Sequence, residues 1–203
     1  MPRPPKFGED QMMDAAMRLV AEGGPNAATV AGIAGALGAP VGSIYHRFKS
    51  RDLLLARLWI RTVKRFQVGF LRALEADDLD EAALGAALYN VEWTRRHVDE
   101  ARVLLLYRRE DLAERWPEEL GEELAALNTD VERAVRDHVL RRYGEGGGAE
   151  AVRRVVFALV DVPYAAGRRH LVNGEPPPPL VDELVTQTLQ RVLFDRPETS
   201  RLP

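Results

Sequence analysis

The chain has 203 residues, 46% of them hydrophobic, enough for one large helical domain or for a small domain beside a larger one. It contains no cysteine, which excludes disulfide frameworks, thiolate zinc sites and thiol nucleophiles together. The net charge of −3 is unevenly spread: residues 1–65 hold ten Lys and Arg against five acids, net +5, and the remainder hold eighteen against twenty-six, net −8. A cationic head on an acidic body suits a protein whose head alone approaches phosphate.

Residues 1–8 contain three prolines and the cations Arg3 and Lys6, the composition of an extended arm. Such an arm enters a minor groove in some DNA readers and is a frayed terminus in other proteins. The opening MPRPPKFGED has no hydrophobic segment of signal-peptide type, and no apolar run is long enough to span a bilayer. The expectation is a cytoplasmic protein without membrane contact. Next, Met12, Met13, Ala16, Leu19 and Val20 give a first helix its core face, and Gly23-Gly24-Pro25 ends it.

The segment Thr29 to Phe48, TVAGIAGALGAPVGSIYHRF, organises the rest. Val30, Ile33, Ala34 and Leu37 recur at helical spacing behind Thr29, a good N-cap. Gly38-Ala39-Pro40 interrupts this helix, and a second begins near Pro40, with Ile44 and Phe48 facing the first. Two short helices joined by a tight turn containing Gly make a helix-turn-helix. With MMDAAMRLVAEGG before it and KSRDLLL after it, the pattern from about Gln11 to Leu55 resembles the tetracycline-repressor (TetR) family of transcriptional regulators, with Ile44-Tyr45-His46-Arg47-Phe48 as its aromatic signature. The resemblance implies an all-α homodimer. Its N-terminal domains would bind double-stranded DNA, and its larger C-terminal domain would bind a small molecule that releases the DNA.

Side chains that touch DNA must lie on the exposed side of the recognition helix or at helix N-termini near the backbone. Thr29, Ser43, Tyr45, His46, Lys49 and Arg51 are the polar candidates, Arg47 a further one, and Pro40, Val41 and Gly42 complete the surface. Tyr45 has packing as its alternative role, and His46 simple exposure to solvent. Many family members place Ser or Thr followed by Lys where this chain has Pro40 and Val41. Neither residue can hydrogen-bond a base edge, so readout shifts toward thymine methyls and DNA shape.

Ser50 caps a fourth helix that runs to about Ala73 and joins head to body, dividing the chain into residues 1–56 and 57–203. Helices follow at about 81–97, 99–113, 117–142, 149–172 and 179–194, about nine in all, and Pro163 should kink the one that contains it. Val152, Val155, Val156 and Leu159 on one helix, and Val181, Leu184, Val185, Thr188, Leu189 and Val192 on the next, form apolar seams. They suit either a four-helix dimer interface or packing within the chain.

Phe66, Tyr89, Trp93, His97, Tyr107, Trp116 and Tyr164, with Trp59 and His138, are candidate lining for an effector pocket, and Asp161 is the carboxylate to watch beside them. Aromatic residues at helical spacing serve equally as ordinary core. No cofactor is implied. The four histidines are too scattered for a metal motif, and there is no nucleophile elbow, dinucleotide loop or P-loop. The expected function is therefore a ligand-responsive repressor that binds a palindromic operator. A helical protein-interaction module and an all-helical enzyme are the competing classes.

Overall fold

The structure, a computed structural model, describes residues 7–194, so the Arg3 and Lys6 part of the N-terminal arm lies outside the described residues. Those residues form twelve α-helical segments and no strand. In order they are α1 (Glu9–Gly23), α2 (Val30–Leu37), α3 (Val41–Tyr45), α4 (Arg51–Leu74), α5 (Leu79–Arg96), α6 (Val98–Leu104), α7 (Arg109–Arg115), α8 (Pro117–Ala126), α9 (Thr129–Tyr143), α10 (Gly148–Val156), α11 (Val162–Val172) and α12 (Leu180–Leu189).

The helices group into two compact units, each discontinuous in sequence. Among the described residues, the first holds 7–65 together with His97–Leu127, and the second holds Phe66–Arg96 together with 128–194. A division at residue 56 would assign α6, α7 and α8 to the body, whereas their side chains pack with the head. Val103, Leu112, Leu120 and Leu124 share one core with Met12, Ala16, Ile33, Ile44, Phe48 and Leu54. Three short helices alone would bury too little apolar surface, and these added helices complete the core.

Two expected helices are each split. The run 99–113 breaks at residues 105–108 and the run 117–142 at Leu127 and Asn128, whose backbone leaves the helical range at φ −104° and ψ 1°. Helical periodicity continues across both breaks, so the apolar pattern alone did not reveal them. At Pro163 the chain does not simply kink. Residues Phe157–Asp161 form a π-helical turn, and the Val162 N–H reaches back five residues to the Phe157 carbonyl. Pro163 has no N–H for the Leu159 carbonyl and its ring crowds that oxygen, so a widened turn just before it accommodates both demands.

In the second unit, α5 packs on α11 and α12, and its Ala82, Ala83, Ala86 and Ala87 are fully buried. Val155, Leu159, Val185 and Leu189 fill the same core. Arg95 fixes the proline-rich loop before α12, donating to the Pro177 carbonyl at 2.9 Å and to both Asp182 carboxylate oxygens.

Candidate nucleic-acid interface

The Thr29 hydroxyl accepts the Gly32 N–H at 3.0 Å and starts α2. At its other end Gly38 lies at φ 60° and ψ 33°, the left-handed conformation that costs a side-chain-bearing residue most, and its N–H returns to the Gly35 carbonyl. Ala39 and Pro40 complete the turn. Pro40 is the N-cap of α3, so the helix proper opens with Val41, and its carbonyl accepts the Ser43 N–H at 2.9 Å. Although α3 ends at Tyr45, Phe48 N–H still bonds the Ile44 carbonyl at 2.9 Å, which carries helical geometry through the aromatic signature.

Ile44 and Phe48 are 1% and 3% exposed and anchor α3 to α1, α2 and α4. Burial of this kind stabilises by about 1.5–3 kcal/mol per side chain. It fixes which side faces out. Val41 and Tyr45, one turn apart, are 44% and 56% exposed, and Gly42 and His46 form the adjacent exposed row. Pro40, Arg47 and Lys49 are exposed as well, and Ser43 is half-buried. Tyr45 therefore contributes little to the core, where packing had been its alternative role.

The cations divide by what already holds them. Arg51 donates Nε to the Ala28 carbonyl at 2.8 Å, Nη2 to the Pro25 carbonyl and Nη1 to Asp52 at 2.9 Å, so it braces the α1–α2 connection. Lys49 pairs with Glu119 at 2.9 Å, and that hydrogen bond holds the ammonium above its ordinary pKa. Arg61 ties α4 to α1 through Asp10 at 3.1 Å and Asp14 at 2.6 Å. The Lys49 and Arg61 pairs were not legible in the sequence, because partners 47 to 70 residues apart show no spacing pattern.

The pocket candidates divide between the two units. His97, Tyr107 and Trp116 fall in the first unit, with His97 exposed and bonded to Glu100 at 2.9 Å and Trp116 beneath the Arg115 guanidinium. Burial pushes the Tyr107 hydroxyl up. Trp59, of the same unit, is buried and donates to the Leu104 carbonyl at 3.3 Å. In the second unit Phe66 meets Tyr89 and Trp93 at centroid distances of 5.6 and 5.3 Å and stacks near Phe70. Asp161 and Tyr164 are exposed. His138 is buried, and neither ring nitrogen has a hydrogen-bond partner.

Of the candidate dimer residues, Val155, Leu159, Val181, Val185 and Leu189 are buried within the chain itself. Those a partner could reach are Leu184, at 52% exposure, and the half-buried Val152, Val156, Thr188 and Val192, alongside Phe157 and Tyr164.

Residues 12–58 match the sequence profile described as bacterial regulatory proteins, tetR family. No curated protein sequence is similar enough to the chain to count as a match. Among solved structures, a transcriptional regulator from Rhodococcus sp. Rha1 is similar with a TM-score of 0.73 at 18% identity, covering 93% of this chain and 97% of that one. The ketosteroid transcriptional regulator KstR2 of Mycobacterium tuberculosis gives 0.64 at 18% identity, with 94% and 95% covered. FadR from Bacillus subtilis in complex with stearoyl-CoA gives 0.65 at 16% identity, with 92% and 98% covered.

Proposed function

We propose that this chain, which belongs to the tetR family of bacterial regulatory proteins through its helix-turn-helix domain, is a ligand-responsive repressor. It binds a palindromic operator as a homodimer and is released by a small-molecule effector. The observation that carries the DNA reading is the outward row Val41, Gly42, Tyr45 and His46 on a short helix whose opposite side is locked into the core by Ile44 and Phe48. A major groove admits one such helix. Val41 would meet thymine methyls, Tyr45 and Ser43 would reach base edges or phosphates, and Arg47 would pair with phosphate. Thr29 is exposed at the N-terminus of α2, where N–H groups favour a phosphate.

The effector reading draws on the aromatic cluster of Phe66, Phe70, Tyr89 and Trp93 in the second unit, which suits an apolar molecule. One structural relative, FadR, was solved with stearoyl-CoA. Whatever its identity, the effector must bind the released form better than the DNA-bound form, since equal affinity shifts nothing. Selection of bound duplexes from a random pool tests the proposal. Recovery of an inverted repeat supports a dimer on DNA, enrichment of a single half-site overturns the dimer, and the absence of salt-dependent duplex binding overturns the DNA reading.

A further inference from the structure

Helix α8 carries Glu118, Glu119, Glu122 and Glu123 within ten residues, and two of these meet cations of the DNA-binding head. Glu123 bonds Arg57 and Lys64 on α4, and Arg57 also donates to the Glu119 carbonyl at 3.0 Å, which holds α8 along α4. Glu119 meets Lys49, the exposed cation three residues beyond His46. Arg47, also exposed, has no carboxylate partner among the described residues, and Arg51 is committed to the backbone of the α1–α2 connection. Lys49 is thus the conditional cation of the three, since its partner is a side chain that another anion can replace.

We propose that Glu119 stands in for a DNA phosphate: in the free protein it occupies Lys49, and DNA gains that contact only by displacing it, so the position of α8 tunes the affinity of the head. This rests on the DNA-binding reading above. The pair is 77% exposed on the lysine side, so it is weak enough to be displaced. It still alters the ion balance. A lysine freed of Glu119 reaches a phosphate and releases that phosphate's condensed cation, whereas a lysine still held by Glu119 releases none. The salt dependence of binding is then shallower than the number of cations facing the DNA implies. The chain passes between the two units at residues 65/66, 96/97 and 127/128, and α8 ends at Ala126, just before the third of these crossings.

The test titrates the full-length protein against a random-sequence duplex over a range of salt. Glu119→Gln should bind about two- to fivefold tighter at low salt, with a log–log salt slope steeper by about 0.9. Glu122→Gln removes the same charge from an exposed residue of the same helix that pairs with no cation, and should behave as wild type. Lys49→Gln should change little in the wild-type background and abolish the gain in the Glu119→Gln background. Wild-type affinity and slope in both Glu119→Gln and Glu119→Ala would overturn the proposal. So would a gain of equal size in Glu122→Gln, or an equal cost of Lys49→Gln in both backgrounds. Failure of the wild type and every variant to bind duplex would overturn the DNA-binding reading itself, and this inference with it. Binding by the wild type with no response to Glu119 would sink the inference alone.

Discussion

Tyr45 and Val41 occupy the same exposed row but should fail differently. Tyr45 offers a hydroxyl and a ring to any duplex, so Tyr45→Ala should weaken binding to specific and random DNA alike, by about tenfold if one charged hydrogen bond is lost. Val41 offers only methyl groups, so Val41→Lys should change which sequence wins a selection experiment. Unchanged selection and affinity in both variants would mean that α3 is not the reading helix. His138 makes a separate prediction. Burial, reinforced by the charges of Arg142 and Arg141 and opposed by Asp80, pushes its pKa down to about 4. The folded state keeps the ring neutral while the unfolded chain protonates near pH 6.5. Stability is therefore unaffected above about pH 6.5, falls as pH drops toward 4, and is flat again below that, a loss of up to about 3 kcal/mol. Chemical denaturation of His138→Leu should show a smaller decline across that window. An unchanged decline would place the titrating group elsewhere.

Among the elements, α4 shows how one small residue fixes a packing arrangement. Gly69 sits in its interior, where Ala would ordinarily favour the helix by about 1 kcal/mol. A Cβ at this position would overlap the Tyr89 ring. Gly69→Ala should therefore lower stability by about 1–3 kcal/mol in thermal melts despite its better propensity. In a Tyr89→Ala background the same change should become neutral or stabilising. If Gly69→Ala stabilises the otherwise wild-type protein, Tyr89 does not pack on α4 as described. Nothing in the sequence hints at this pairing, because glycine in a helix reads as a weakness until its neighbour is known. The sequence was explicit about α2, where Thr29 through its hydroxyl and Gly38 and Pro40 through their backbones act on neighbouring residues and need no tertiary partner.

For the whole molecule, the proposed association and the folding would draw on different sides of the same helices. Leu184 is half-exposed on α12, whereas Leu189, five residues later, is fully buried. Leu184→Asp combined with Phe157→Asp should give folded monomers by sedimentation, whereas Leu189→Asp alone should destabilise the second unit by about 3 kcal/mol or more through a buried charge. A dimer that survives the first pair of changes would move the interface off this face. Five residues of the seam read from the sequence are buried within the chain itself, and its period could not say whether the chain or a second copy would cover the rest, since both present an apolar surface. The sequence by itself determined the all-helical class, the helix-turn-helix and its exposed row, because caps, turns and 3.6-residue periodicity are local properties. Only the tertiary structure decided that α6, α7 and α8 belong with the head, that Arg51 is a brace, and that Glu119 holds Lys49. Each of these depends on groups far apart in the chain meeting at hydrogen-bond distance, and no local rule of the backbone encodes such a meeting.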